Sequence, residues 1–512
     1  MRRHSERNGK KCTAVGKNNM RWNDFLSSLP VIASGGVGNP DITDVTCDSR
    51  RVVPGSLYVS ISGFKRHGDE FIEPAIGQGA VAVLSENPQP ASAVPWAQVG
   101  NTRKTLGTAS RSVWGIDGSE TLFVGITGTN GKTTIACLFQ RLFSEVFGPR
   151  LAWMFGTVAY SVGDAMLPAP RTTPESSDIF RIMARAQQLP KAVVMEVSSH
   201  ALALDRIAGI AFDCAVWTNL TQDHLDFHPS MEEYYQAKKL LFTGYLKKSG
   251  RAVINIDDPW GKRLAGELAG REIFTYGASE DSRVRIIEGN SSPSGTEIAL
   301  QTTAGVVRFA SKLAGHFNVY NMTALAAGAL SLSIDAAAIA RCFETMETVP
   351  GRMERVPLTA GFSVFVDYAH TPDALVNVLS AAGKFTQGRL ICVFGCGGER
   401  DTTKRPLMAA AAARHCDEAI ITSDNPRSED PALIVRDILR GMPLDFPHVT
   451  IADRREAIRK ALTGARAGDC VIVAGKGHED YQEIKGTRNH FDDKETVREL
   501  FAELEKRHAA NK

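Results

Sequence analysis

"GITGTNGKTT", Gly125–Thr134, is the stretch on which the reading of the chain turns. It ends on Gly-Lys-Thr as a phosphate-binding loop does. The usual spelling, however, asks for a glycine five places before Gly131, where Ile126 stands. Its neighbours on either side bear on the question. "TLFVGI" before it is an apolar strand, and "KTTIACLFQRLF" after it is a helical run beginning at Lys132. Strand, glycine turn and helix form the context a phosphate loop needs. Backbone N–H groups of Gly128, Thr129, Asn130, Gly131 and Thr134 can then face an anion, Lys132 pairs with terminal phosphates, and Thr133 reaches a magnesium ion. A glycine turn with a surface lysine is the competing reading, and this context leaves it little weight. The phosphate logic does not explain the arch itself, with Gly125, Gly128 and a Thr-Asn pair ahead of Gly131.

Working outward, the pattern from Thr121 alternates apolar strands and helical stretches: "TLFVGI", "KAVVMEV", "CAVWTN" and "RAVINI" are strands ending in polar loops. That alternation predicts a mostly parallel sheet covered by helices. After "ETVPGRMER" it restarts with "FSVFVDYAH", "LICVFGCGG", "EAIITSDNP" and "DCVIVAGKGHE". Before Glu120 the text is Val/Ser/Gly-rich, with short strands such as "SLYVSISG" and "AVAVLSE". The expected class is α/β in three domains, with two or four as alternatives for 512 residues. After a tail at 1–20 these are a smaller α/β domain at 21–120, a central P-loop domain at 121–345 and a Rossmann-like doubly wound domain at 346–512. "ALAAGALSLSIDAAAIA", from Ala324, is too short to span a bilayer and reads as a buried helix pair with close contacts at small residues.

Composition narrows the function classes. Hydrophobic residues make up 43% and charged residues 23%, as in an ordinary globular protein. A net charge of +2 gives no reason to expect nucleic acid or an anionic membrane as partner. Nine dispersed cysteines read as reduced thiols of a cytoplasmic protein, and the basic, polar start lacks the apolar run of a secretory signal.

The loop also carries a resemblance. "GITGTNGKTT" is similar to the ATP loop of the Mur ligases, which build the peptidoglycan stem peptide, and of the related folylpolyglutamate synthases. Further motifs recur in order from about Thr43 to the C-terminus: "MEVSSH", "TNLTQDHLDFH", "AGHFNVYN", "PGRMER", "VDYAHTPDAL", "FGCGGERD", "SDNPR" and "AGKGHE". The combination implies ATP-driven amide formation through an acyl phosphate. The reaction implied is addition of meso-diaminopimelate to UDP-N-acetylmuramoyl-L-alanyl-D-glutamate.

Residue roles follow from that resemblance. Glu196, closing an apolar strand, and Thr133 suit a magnesium ion, with His224 helping to hold a second. Leu225 stands where a zinc protease keeps its glutamate, so "DHLDFH" is a weak zinc motif, and His228 is expected to be structural. Lys238 reads locally as a solvated helix residue. In the family the matching lysine is carbamylated, which converts a cation of pKa about 10.4 into an anionic magnesium ligand. Asn318 and Asn321 would lie near adenine, although Asn321 could equally cap its own helix. Arg352 would lie near the phosphates and Asp367 near the ribose. Cys47 and Ser49 would meet the uridine end, and Thr172, Thr173, Ser198 and Arg206 the peptide, although Leu204 and Arg171 replace a common glutamine and asparagine. Arg400, Asp424, Asn425, Pro426, Arg427, Gly475 and Glu479 would read the incoming amino acid. Rival readings are a lysine-adding or folate-type ligase, a P-loop kinase or motor ATPase, and a catalytically dead nucleotide-binding regulator.

Overall fold

The computed structural model describes residues 20–510 apart from 64–65, 90–91, 117, 269, 293–294 and 347. The expected N-terminal tail thus lies outside the described residues except at its last position, where Met20 already pairs with Ile42. The chain folds as α/β around three main sheets.

The central sheet has eleven strands, and its middle is parallel. Strand β1 (Leu122–Thr127) leads through the glycine loop into helix α1 (Lys132–Phe147). It lies between β2 (Ala192–Glu196) and β3 (Phe212–Trp217), in parallel register with both. All three are apolar and almost wholly buried, as strands covered on both faces must be. Helix α2 (Met231–Leu240) carries Lys238. Helices α3 (Phe317–Ser331) and α4 (Ala336–Thr345) are the small-residue pair expected from sequence, and Asp335 caps α4 by accepting from Ala338 N–H. Gly328 is needed there, since a Cβ would lie 2.5 Å from the Phe139 ring of α1.

The third block forms a six-stranded sheet whose core strands are β4 (Ser363–Asp367), β5 (Leu390–Phe394), β6 (Glu418–Ile421) and β7 (Cys470–Ala474). Those four run parallel in the order β4-β7-β5-β6, with separate apolar cores on the two faces, so the block is doubly wound. A two-stranded hairpin, β8 (Tyr481–Ile484) and β9 (Thr487–His490), stands apart from it.

The first block builds a five-stranded sheet, but its core is not separate. Phe25 and Leu57 belong to the same apolar cluster as Trp153 and Phe212 of the central sheet. Among the described residues no helix is long and apolar enough to cross a membrane. The eight described cysteines are all unpaired.

Candidate active site

The arch of the loop is set by where a side chain can fit. Ile126 is a buried strand residue opposite Glu196 and Val216, so the turn begins two residues later than the usual spelling has it. At Gly128 φ is +145°, and a Cβ would sit 1.8 Å from Thr218 Oγ1. Gly131 (φ +88°) precedes α1, and a Cβ there would lie 2.6 Å from Asn321 Oδ1. The stretch after β3 staples the loop: Thr218 Oγ1 donates to Asn130 O at 2.6 Å, and Asn130 N–H donates to Asn219 Oδ1 at 3.0 Å. Lys132 Nζ donates to the carbonyls of Gly128 and Thr129 at 2.9 and 2.8 Å. A lysine folded back on two neutral carbonyls is poised to exchange them for phosphate oxygens.

Glu196 is buried where β2 ends. Its carboxylate accepts from Thr133 Oγ1 at 2.8 Å, from Thr157 Oγ1 at 3.1 Å and from Thr157 N–H at 2.7 Å. Thr133 and Glu196 thus offer adjacent hard oxygens beside the phosphate loop, which is the donor chemistry magnesium takes. Among the described residues no group of three His, Cys, Asp or Glu could hold a metal by itself. A magnesium ion at this pair would therefore need oxygens from its ligand or from water.

Lys238 is not on a solvated face. It is 1% exposed, donates to Gly128 O at 2.8 Å and lies 4.5 Å over the Tyr234 ring. Burial, reinforced by neighbouring Lys132, pushes its pKa well below the usual lysine range. Beside it, Asp223 takes the His224 N–H at 2.9 Å and faces His224 Nε2 at 3.3 Å. His224 holds a left-handed backbone, φ +56°. Burial lowers its pKa to about 3. His228 is buried and bonded to Ser199 Oγ at 2.9 Å.

A cavity of about 460 Å³ opens between the central sheet and the third block, lined by Asn130, Gly131, Thr134, Asn321, Arg352 and Asp367 among others. Asn318 is buried behind this wall, holding Ala314 O at 2.7 Å and accepting from Asn321 Nδ2 at 2.9 Å. Asn321 therefore does not cap its helix. The residue preceding that helix is His316, which makes no side-chain cap bond. Arg352 crosses from the third block to Thr133 Oγ1 at 2.8 Å. Asp373 crosses likewise, accepting from Asn130 Nδ2 at 2.6 Å and Thr221 Oγ1 at 3.2 Å. Both Asp367 oxygens hold backbone N–H groups, of Met353 and Ala369.

A larger cavity of about 840 Å³ lies between the first block and the central sheet, lined by Cys47, Ser49, Arg171 and further arginines. Desolvation, with Glu175 and Asp178 nearby, pushes the Cys47 thiol up to about 12. Thr172, Thr173 and Ser198 are not among the residues lining this cavity. Thr172 Oγ1 lies 3.1 Å from Thr157 Oγ1, and Thr173 Oγ1 donates to Glu196 O at 2.8 Å. Ser198 caps a short helix through Ala201 N–H. Arg206 already has an anion, Glu175, at 3.5 Å. That single buried carboxylate also binds Arg103 at 2.9 Å and Arg171 at 3.0 Å. Three guanidinium groups around one carboxylate leave positive charge for a further anion. The substituted Leu204 is half-buried just past the short helix.

In the third block Asp424, Asn425, Pro426, Arg427, Gly475 and Glu479 converge at the ends of β6 and β7. Asn425 Nδ2 donates to Glu479 Oε2 at 2.8 Å, and Asp424 Oδ2 is packed so closely on Gly475 that a Cβ there would be 2.5 Å away. Burial, with Asp424 beside it, raises the Glu479 pKa. Arg427 and Arg400 both flank Gly397.

Sequence reasoning missed several members of these sites. Asp223, Asp373, Thr157, Lys476 and Arg454 were not singled out, although Asp223, Asp373 and Lys476 lie inside quoted motifs. Lys476, between two glycines at a strand end, is fully buried against Asn425 and Glu479.

Comparison with known proteins matches three family descriptions along the chain. They are Mur ligase family, catalytic domain, over residues 41–112; Mur ligase middle domain, over 126–330; and Mur ligase, glutamate ligase domain, over 351–477. The UDP-N-acetylmuramoyl-L-alanyl-D-glutamate–2,6-diaminopimelate ligase of Gloeobacter violaceus is 44% identical over 471 residues, covering 91% of this chain and 95% of that protein. The protein of the same name from Geobacillus thermodenitrificans is 42% identical over 486 residues, covering 94% and 99%. A solved structure of a ligase with that name superposes with a TM-score of 0.67 at 33% identity, covering 95% of this chain and all, 100%, of the other. The fold is also that of a Thermotoga maritima MurF ligase in complex with ADP, with a TM-score of 0.61 at 20% identity over 91% of this chain and 98% of that one.

Proposed function

The chain belongs to the Mur ligase family, and from that premise we propose a path for its reaction through its own residues. It is an ATP-dependent ligase that adds diaminopimelate to UDP-N-acetylmuramoyl-L-alanyl-D-glutamate, a step of peptidoglycan precursor synthesis. We take the acceptor as the meso form, and the cytoplasm as the compartment. Domain limits near residues 120 and 345 belong to the same proposal.

The observation that carries the path is the crossing of Arg352 and Asp373 from the third block onto the phosphate loop. Two domains must close on one nucleotide before the loop is fully braced. ATP occupies the smaller cavity, with Asn321 near the base, Asp367 near the ribose and Arg352 near the phosphates. The muramoyl dipeptide occupies the larger cavity. Its D-glutamate carboxylate attacks the γ-phosphorus and yields an acyl phosphate and ADP. The acceptor amine then adds to the acyl carbon, and phosphate leaves. Lys132 and the helix-start N–H groups stabilise the charge that develops in both steps. Thr133 and Glu196 would hold a magnesium ion, whose charge would neutralise the phosphates.

Lys238 suits a carbamate for a physical reason. The neutral amine is the form that attacks carbon dioxide, and burial favours the neutral form. The new N–C bond is accompanied by loss of one amine proton to solvent. The carbamate oxygens, with a ring nitrogen of His224, would then offer ligands for a second magnesium ion.

The test is phosphate release with ATP, the UDP-muramoyl dipeptide and either diaminopimelate or L-lysine. Turnover should require all three substrates and favour diaminopimelate, and Lys132→Ala should abolish it. Comparable kcat/KM with lysine would remove the acceptor assignment, and release without an acceptor would remove the ligase path.

A further inference from the structure

Arg427 holds a left-handed backbone, φ +53°, which a bulky side chain adopts only when its surroundings impose it. The β8–β9 hairpin is what imposes it. The hairpin turns through Lys485 and Gly486, both at positive φ (+49° and +77°), as a tight two-residue turn requires. Arg427 N–H donates to Glu483 O at 3.0 Å, and Lys485 N–H donates to Arg427 O at 2.7 Å, so a single residue is bridged to β8 like a fragment of strand. The two residues at the acid end of the same loop are tied to β8 as well. Gln482 Nε2 donates to Asp424 O at 2.8 Å, and Glu483 N–H donates to Asn425 Oδ1 at 2.9 Å. Lys476 Nζ completes the frame by donating to Tyr481 O and to Glu479 at 3.3 Å. Strand β9 is exposed along its whole length, so the acceptor loop is what the inner strand grips.

We propose that this hairpin is a length gauge for the incoming amino acid, and that Gln482 is the positioning residue through which it acts. This rests on the acceptor-pocket reading above. A pocket that tells an amino acid with a carboxylate at each end from one with a single carboxylate needs two charged corners at a fixed separation. Here Arg427 is the corner for the second carboxylate, and Asp424 with Glu479 the corner for an ammonium group of the same amino acid. Arg427 donates to Gly398 O at 2.6 Å, a bond that the second carboxylate has to displace; a loop free to slide would let the guanidinium keep that bond, and selection would weaken.

Gln482→Met removes the amide donor at nearly constant length, and Gln482→Ala removes it by truncation. For both, kcat/KM for diaminopimelate and for L-lysine, KM for ATP and Tm would be measured. The diaminopimelate/lysine ratio should fall about 3- to 10-fold, the worth of one neutral hydrogen bond, through KM for diaminopimelate. KM for ATP and Tm should stay in place. In an Arg427→Ala background the same substitution should change the ratio less than about two-fold, because the two residues act as one unit. A wild-type ratio in both Gln482 variants, with collapse in Arg427→Ala, overturns the gauge and leaves the pocket standing. An unchanged ratio in Arg427→Ala overturns the pocket reading and the gauge with it. A uniform loss for both amino acids accompanied by a lower Tm reduces Gln482 to fold maintenance and also overturns the proposal.

Discussion

Arg454 and Asp493 offer a perturbation whose size can be worked from geometry. Both side chains are completely buried, paired at 2.7 Å through Arg454 Nε and again through Nη2. The same guanidinium donates to Ser423 O at 3.3 Å and Ala474 O at 3.0 Å, the residues just ahead of Asp424 and Gly475. Arg454→Met strands a buried carboxylate, a change that costs about 3–5 kcal/mol. Arg454→Met with Asp493→Leu removes both charges and should recover roughly 2 kcal/mol or more of that loss, because an apolar pair needs no compensation. The two carbonyls stay without their donor in both variants, at about 1–3 kcal/mol for each buried acceptor. Stability and acceptor binding should therefore separate. Urea denaturation would show the double variant more stable than the single one, while KM for diaminopimelate stays raised about tenfold in both and KM for ATP barely moves. A double variant less stable than Arg454→Met, or one with wild-type KM for diaminopimelate, would refute the reasoning.

Three further outcomes are expected. Gly128→Ala should lose nearly all ATP-dependent turnover, since it meets Thr218 Oγ1 and needs a positive φ; adding Thr218→Ala should restore little, because the strain and the lost Asn130 staple remain. Normal nucleotide binding by Gly128→Ala would count against the arch described above. Lys238→Ala should be nearly inactive yet partly rescued by short-chain carboxylates, and an active variant indifferent to them would end the carbamate assignment. His370 is half-buried with Nδ1 2.9 Å from Tyr368 O, and its pKa is lowered from 6.5 to about 4 chiefly by desolvation. Its contribution is present above pH 6.5 and is lost as pH falls toward 4, on the order of 3 kcal/mol at most. His370→Gln should flatten that part of the stability–pH curve, and an unchanged slope would place the proton uptake elsewhere.

What was legible in sequence was what local pattern can encode. The strand–loop–helix order around Lys132 and the doubly wound third block follow from apolar runs and their glycine-rich ends. So does the small-residue helix pair, whose Asp335 marks a helix start. Lys238 was opaque for a physical reason: its helix looks ordinary, and its burial comes from Gly128 and Tyr234, which are distant or adjacent in sequence without marking it. Arg454 had still less signal. It follows a capping aspartate in a run of charges, and only the C-terminal helix, bringing Asp493 to it, turns a surface-looking residue into a buried clip. The substituted Arg171 shows the converse. As a lone replacement it only put a contact in question, whereas in space it joins Arg103 and Arg206 around Glu175.

The arrangement also argues for an order of events. The phosphate loop is already held by residues of its own domain, with Thr218 and Asn219 fixing its backbone, so it can receive ATP without waiting for another domain. Asp373 and Arg352 reach that loop from the third block, to which we assign the acceptor pocket. A change at the phosphates is therefore mechanically joined to the position of the amino acid site through two short side-chain bonds. Asn130→Ala removes one of them and leaves Lys132, Thr133 and Glu196 in place. It should weaken the dependence of diaminopimelate binding on bound nucleotide without abolishing either binding event. Calorimetric titration of diaminopimelate with and without a non-hydrolysable ATP analogue measures that dependence as a ratio of Kd values. An Asn130→Ala ratio equal to wild type would mean that the two domains communicate through Arg352 and the Asp373–Thr221 bond, or not through this loop.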